Sequence, residues 1–223
     1  MFFPEKITSI RPHDKVLEIG PGSSPHPRSD EFLELGIDSI HDRIAQRGGV
    51  FHDADFGNKP IHYYDGCNFP FSDNYFDYII CSHVVEHVID PVNFLNEVFR
   101  VGVGRGYLEY PLITYEYLYN FLVHLHFVKF DFDQRVLRYL PKRDTAFSEF
   151  TAVNSLFYKT LEHGWDDLCA ANKLFFFEGF EFNQPFAIEK ANEIEKLLPS
   201  QSVIVPKKTV RRLTGQIINK LGL

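Results

Sequence analysis

Short apolar runs, returning at intervals wide enough for a covering helix, constrain this 223-residue chain more than any other feature. Lys15 to Gly20 (Lys-Val-Leu-Glu-Ile-Gly) ends in glycine and reads as a buried parallel strand entering a tight turn. Residues 60–64, 76–82 and 105–110 read the same way, the last opened by Gly104 and closed by Pro111. Between the last two, Asp90-Pro91 has the form of an N-cap followed by proline at the first helical position. Phe94, Leu95, Val98 and Phe99 then give that helix an apolar face. Apolar strands alternating with a helix predict an α/β protein with a mostly parallel sheet covered by helices on both faces. Ligands of such sheets sit at the carboxyl ends of the strands. Functional residues are therefore sought in the loops that follow each strand.

Composition narrows the partners. With 44% hydrophobic and 24% charged residues the chain is of ordinary globular type, and its length suits one core, so residues 1–223 are expected to form a single domain. The start, Met1 to Lys6, lacks the basic and apolar segments of a secretory leader, and no apolar run approaches a membrane span of about 20 residues. Cys67, Cys81 and Cys169 are too widely spaced for a Cys-x-x-Cys pair, which fits reduced thiols in a cytoplasmic protein. A net charge of −7 disfavours nucleic acid as a partner. The segment from Pro206 to Leu223 is the exception, with Lys207, Lys208, Arg211, Arg212 and Lys220 and no acidic residue. Val210, Leu213, Ile217 and Leu221 recur there at helical spacing, so this tail reads either as a terminal helix packed on the core or as a basic amphipathic helix lying on a membrane surface or on a partner.

The residues that carry chemistry follow the predicted strands. Glu18 lies within the first strand, and Gly20 and Gly22 flank Pro21 in the turn after it, where glycine lets the backbone approach a ligand. The spacing is neither the G-x-G-x-x-G turn of dinucleotide folds nor a P-loop. Further on come Asp65-Gly66-Cys67-Asn68-Phe69-Pro70-Phe71, then Asp73, then Phe76 to Ile80, and then Ser82-His83-Val84-Val85-Glu86-His87-Val88. In this order the segments resemble the class I S-adenosylmethionine-dependent methyltransferases, whose first motif is an acidic residue, any residue, and Gly-x-Gly-x-Gly. Here Ser24 stands in place of the third glycine.

The resemblance implies a Rossmann-like fold with S-adenosylmethionine as cofactor, and it covers roughly Lys15 to Pro111. On that basis residues 15–111 form the cofactor-binding core, residues 112–205 an aromatic-rich elaboration on the substrate side, and residues 206–223 the basic tail. Carried over by position, Gly20, Pro21 and Gly22 lie under the amino-acid portion of the cofactor, with Glu18 supporting the turn or reaching the ammonium through water. Asp65 accepts from the adenine amino group and Gly66 supplies a neighbouring amide. The ribose carboxylate is Glu34, or Asp38 if Phe32 to Leu35 is a helical turn and the strand runs from Ile37 to Ile40.

Ser82 and His83 follow the fourth strand at the floor of the implied methyl-transfer site. His83 and His87 are candidate bases for an acceptor hydroxyl, and structural groups if transfer needs only alignment. A small hydroxylated acceptor, such as a sugar or glycan intermediate, fits the charge and the His and Tyr content.

Two other readings stand beside this one. His83-Val84-Val85-Glu86-His87 matches the inverted zinc-protease signature H-x-x-E-H, which needs a helix and a third ligand. Its place directly after a strand argues for no metal there. A methyltransferase fold that binds without turnover is the other. Tyr115, Tyr117, Tyr119, Phe121, the run from Phe127 to Phe132, and Phe175, Phe176, Phe177 and Phe180 read mainly as core.

Overall fold

Strand alternation sorts the apolar side chains onto the two faces of one sheet. The protein, seen in a computed structural model, is described over residues 1–36, 55–149, 151–160 and 166–199. Asp38 and the tail 206–223 lie outside the described residues. The principal sheet contains β1 (Val16–Ile19), β2 (Glu31–Leu35), β3 (Ile61–Tyr64), β4 (Tyr78–Ser82), β5 (Gly106–Pro111) and β8 (Phe177–Phe182), in the order β3-β2-β1-β4-β5-β8. β1 to β5 are mutually parallel and β8 is antiparallel to β5. This is the Rossmann-like α/β arrangement expected, with its strand order reversing between β1 and β4.

Leu17, Ile19, Leu33, Ile79, Cys81, Leu108, Tyr110, Phe180 and Phe182 point to one face. They pack under the helix α1 (Pro91–Val101), which contributes Phe94, Leu95, Val98 and Val101. Val128, Phe130, Leu137 and Phe186 close the same core. Of these, Val128 and Phe130 come from β6 (His126–Asp131) and Leu137 from β7 (Val136–Pro141). β6 and β7 form a hairpin, and β9 (Ala187–Lys190) runs parallel to β7 to complete a second, three-stranded sheet.

Val16, Tyr78, Ile80, Tyr107 and Phe177 occupy the opposite face of the principal sheet, under Phe3, Tyr119, Cys169 and Phe176. These come from the N-terminal segment and from three helices, α2 (Ile113–Tyr119), α4 (Asp166–Ala171) and α5 (Lys173–Phe176). A further helix, α3 (Thr151–Thr160), packs on α2. The aromatic segments are thus largely core: Tyr119, Phe127, Phe130, Phe176, Phe177 and Phe180 are buried, whereas Tyr117 and Phe132 stay more than half exposed, at 54% and 56%. Among the described residues, no helix is long and apolar enough to cross a membrane.

The strands predicted at 15–20, 60–64, 76–82 and 105–110 match β1, β3, β4 and β5. Phe32 to Leu35 is extended in β2, so the helical-turn alternative that moved the ribose carboxylate to Asp38 is not realised. Only eleven residues, 20–30, connect β1 to β2, and they run as turns where a parallel crossover usually carries a helix. α1 begins as read from the sequence. Asp90 Oδ1 accepts from the N–H groups of Val92 and Asn93, both at 3.0 Å, and Pro91 occupies the first turn, where its missing N–H costs nothing. Replacing this cap by Asp90→Ala removes both bonds and is expected to lower stability by about 1 kcal/mol. The check is the midpoint of urea unfolding at unchanged slope, and an unmoved midpoint would refute the cap's contribution.

Candidate functional site

Because β1 to β4 are parallel, their carboxyl ends share one edge of the sheet. That edge gathers the turn Gly20–Gly22, Glu34 in β2, Asp65 and Gly66 after β3, Ser82 at the end of β4 and His83 after it. The turn after β1 needs its two glycines, since Gly20 and Gly22 have φ of 60° and 62°, in the left-handed region that other residues rarely adopt. A Cβ on Gly20 would also stand 2.6 Å from Cγ2 of Val84, so the loop after β4 presses directly on this turn. Gly22 has nothing within 4 Å of where its Cβ would be. Pro21 between them is buried.

Glu18 is a carboxylate inside a strand, 2% exposed. Its Oε2 accepts from the His26 N–H at 2.8 Å and from Ser29 Oγ at 2.6 Å. Burial raises its pKa above the usual carboxylate value even against these donors. Glu18 is thus tied to the loop that follows β1.

Glu34 is partly buried in β2, opposite Tyr63 of β3. Just beyond it, the Gly36 N–H donates to the Tyr64 carbonyl at 2.9 Å, keeping the ends of β2 and β3 together. Asp65 is exposed and uses Oδ1 to accept from the N–H groups of Asn68 (2.9 Å) and Cys67 (2.8 Å). These backbone donors hold its carboxyl below the ordinary value and keep the turn at Gly66 in shape.

The sequence-predicted Ser82 and His83 converge on a residue not singled out in the sequence, Glu109 of β5. Its side chain has no exposure, yet its two oxygens accept from five donors. Oε1 takes the Phe2 N–H (2.7 Å), His83 Nε2 (2.9 Å) and Ser82 Oγ (3.1 Å). Oε2 takes the Tyr107 hydroxyl (2.5 Å) and the Phe3 N–H (3.0 Å). Burial opposes the charge, but His83 above all brings the Glu109 carboxyl down to about 2. The effect is mutual. Burial disfavours the imidazolium, yet Glu109 and Glu86 together push His83 up to about 9. Phe2 stacks on Phe177 at 3.7 Å, and both rings stand edge-on to His83 at 5.5 Å. The signal that could have found Glu109 is a single carboxylate in the buried run Gly-Tyr-Leu-Glu-Tyr-Pro, the same signal that Glu18 gives in β1.

His87 takes no part in that cluster. Residues 83–88 form turns rather than a helix, with His83 itself at a φ of 57°, so the H-x-x-E-H segment does not present its histidines as the inverted zinc signature requires. His87 faces His124 instead, their ring centroids 4.5 Å apart, and burial lowers its pKa to about 4. Ligand atoms of Glu86, His87 and His124 lie within 4.8 Å of one another.

A family model described as a methyltransferase domain matches residues 35–109, from the end of β2 to Glu109. Its cofactor, S-adenosylmethionine, is the one that the sequence motifs imply. No curated protein sequence matches the chain. Solved structures that resemble it include a methyltransferase of Thermotoga maritima described as a possible histamine N-methyltransferase (22% identity, TM-score 0.34, 51% of each chain). The YcgJ protein of Bacillus subtilis is another (23% identity, TM-score 0.35, 50% of this chain and 52% of that one). A third is a Haloferax volcanii putative methyltransferase in complex with the Trm112 activator (18% identity, TM-score 0.34, 48% of this chain and 49% of that one). The chain spans about half the length of these structures.

The pairing at Glu109 fixes a pH dependence. A carboxyl lowered from 4.5 to about 2 contributes stability that is complete above pH 4.5 and disappears as the pH falls towards 2. The groups facing it are His83, Ser82, Tyr107 and the first two peptide N–H groups, with the Met1 amino group acting from further off. Glu109→Gln leaves His83 with Glu86 alone of its two carboxylates and should cost about 3 kcal/mol at pH 7. The deficit should shrink as the pH is lowered from 4.5 towards 2, where the native protein loses the same interaction. Denaturant unfolding of both proteins at pH 7 and pH 3 measures it, and a deficit that stays constant would rule out this coupling.

Proposed function

We propose that the protein is an S-adenosylmethionine-dependent methyltransferase acting on a small-molecule acceptor. One observation carries the reading: a turn with two left-handed glycines and two further acidic positions, Glu34 and Asp65, stand along one carboxyl edge of a sheet whose order reverses beside that turn. The residues suit the cofactor. Gly20 and Gly22 bring bare backbone to the crevice, and the space beyond Gly22 is open. Asp65 commits Oδ1 to its own turn, which leaves Oδ2 as an acceptor for the adenine amino group, beside the backbone of Gly66. Glu34 is the carboxylate for the ribose hydroxyls, and the buried Pro21 stiffens the turn that takes the amino-acid portion.

When bound, S-adenosylmethionine supplies a methyl group made electrophilic by its sulfonium. The chain's own part is to orient and to exclude water. Ser82 and His83 border the transfer site on the β4 side. In His83, Nε2 is held by Glu109 at 2.9 Å, and the buried carboxylates of Glu109 and Glu86 keep the imidazole protonated, so it is not placed to take a proton from an acceptor. His83 is therefore a positioning residue, and His87, turned towards His124, is another. Alignment of acceptor and methyl carbon then carries the reaction without a dedicated base. The acceptor in this reading is a small hydroxylated molecule such as a sugar or glycan intermediate, since a charge of −7 disfavours nucleic acid.

Calorimetric titration with S-adenosylmethionine and S-adenosylhomocysteine tests the reading. Both ligands are expected to bind. Asp65→Asn keeps the Oδ1 acceptor of the turn but removes the second one, and should weaken both by about tenfold to a hundredfold, the scale of a hydrogen bond to a charged group. Absence of binding by the native chain would overturn the proposal in favour of a fold retained without turnover.

A further inference from the structure

We propose that Glu86, His87 and His124 form a site for one divalent transition-metal ion, with zinc as its best-matched occupant. The inference does not depend on the methyltransferase reading. Glu86 is the observation that points to a ligand. Its carboxylate is fully buried, and neither oxygen has a hydrogen-bond partner. His83 Nδ1 at 3.4 Å and His87 Nε2 at 4.0 Å are within ion-pair range of Oε1 but are not aligned as donors. A buried carboxylate without a hydrogen-bond donor is costly; His83 offsets its charge from 3.4 Å, and a cation bound directly to the oxygens would supply the contact they lack. Nδ1 of His87 is likewise buried without a partner.

The fold holds the three side chains together through the backbone. The N–H groups of Leu125 and His126 donate to the Glu86 carbonyl, at 2.7 and 3.2 Å. His126 Nε2 adds a bond to the Val88 carbonyl at 2.9 Å. The turn after β4 and the approach to β6 are thereby clamped, with His87 and His124 on either side of the clamp. The ligand atoms lie within 4.8 Å of one another. Zinc bonds of about 2.0 Å set ligand separations of about 3.3 Å, a closure within reach of side-chain rotation.

His124 is also prepared from behind. Its Nδ1 pairs with Oε1 of Glu116 at 2.5 Å, and Glu116, fully buried in α2, pairs through Oε2 with Lys142. Lys142 is in turn fixed by the Phe121 carbonyl at 3.0 Å. A carboxylate on Nδ1 sets the imidazole tautomer and leaves Nε2 with its lone pair for a metal, which is the second layer that metal-binding histidines usually show. Two imidazoles and one carboxylate make a nitrogen-rich set suited to zinc or iron(II) rather than to magnesium or calcium. Three protein ligands leave a fourth position for water or a small oxygen ligand. This is not the H-x-x-E-H reading: His83 is turned to Glu109, Glu86 becomes a ligand instead of a base, and His124 comes from 37 residues further along the chain than His87.

The test uses the full chain stripped with a chelator and titrated with zinc chloride against a chromogenic competitor, with magnesium chloride as the comparison. One zinc per chain and no competition by magnesium are expected. Glu86→Gln and His124→Ala should each abolish the site, Glu116→Gln should weaken it by about 10- to 100-fold, and His62→Ala, at a surface pair with Glu31, should leave the stoichiometry at one. X-ray absorption on the zinc-loaded native protein needs no variant: the expected first shell holds two imidazole nitrogens and otherwise oxygen. Failure of the native chain to take up zinc, unchanged uptake by folded Glu86 and His124 variants, or sulfur in the first shell would each overturn the proposal.

Discussion

A single buried charge ties the molecule together. Glu109 stands in β5, between β4 and β8, without access to water, and survives as a carboxylate because five donors from three stretches of the chain surround it. The N-terminal peptide groups, the end of β4, the turn after it and the neighbouring Tyr107 are all positioned by that one side chain. An apolar residue there would leave Nε2 of His83 and two peptide N–H groups without their acceptor. Removing the carboxylate therefore disturbs the site through its supports as well as through charge.

The sheet face on which Glu109 lies is unusual for its polarity. Glu18 and Glu109 share it with Val16, Tyr78, Ile80 and Tyr107, whereas the buried side chains that β1, β4 and β5 send to the opposite face, Leu17, Ile19, Ile79, Cys81, Leu108 and Tyr110, are all hydrophobic. The difference follows from what covers each face. α1 offers an apolar stripe to one side. On the other, the short connection 20–30 covers β1 with backbone N–H groups and the hydroxyl of Ser29, and an acidic residue answers those donors.

How much of this was legible follows from the range of the forces involved. β1, β3, β4, β5 and the start of α1 declare themselves locally, through apolar runs and the Asp90-Pro91 cap, and each is where the sequence predicts it. β2 is harder because Glu31-Phe-Leu-Glu-Leu mixes acids into a short strand and follows a prolyl loop, so a helical turn over Phe32 to Leu35 is as good a local reading as the strand. The glycine turn and Asp65 were visible as motifs. The Glu109 cluster and the pairing of His87 with His124 were not, because each joins residues brought together only by tertiary structure. No periodicity links Glu86 to a histidine beyond α2, and the clamp that unites them runs through backbone atoms that every residue possesses.

The helix-free connection between β1 and β2 also bears on how the sheet assembles. Leu17 pairs with Glu31, 14 positions on, whereas Val16 pairs with Tyr78 at a separation of 62 and Gly106 with Phe182 at 76. Closing the second of these loops rather than the first costs about 1.3 kcal/mol more in chain entropy. The glycine turn thus belongs to the part of the sheet that can close earliest, and the β4 loop that presses on Gly20 can arrive only after a far longer search. The crevice between them therefore joins the most local pairing of the principal sheet to a strand that lies 62 positions away.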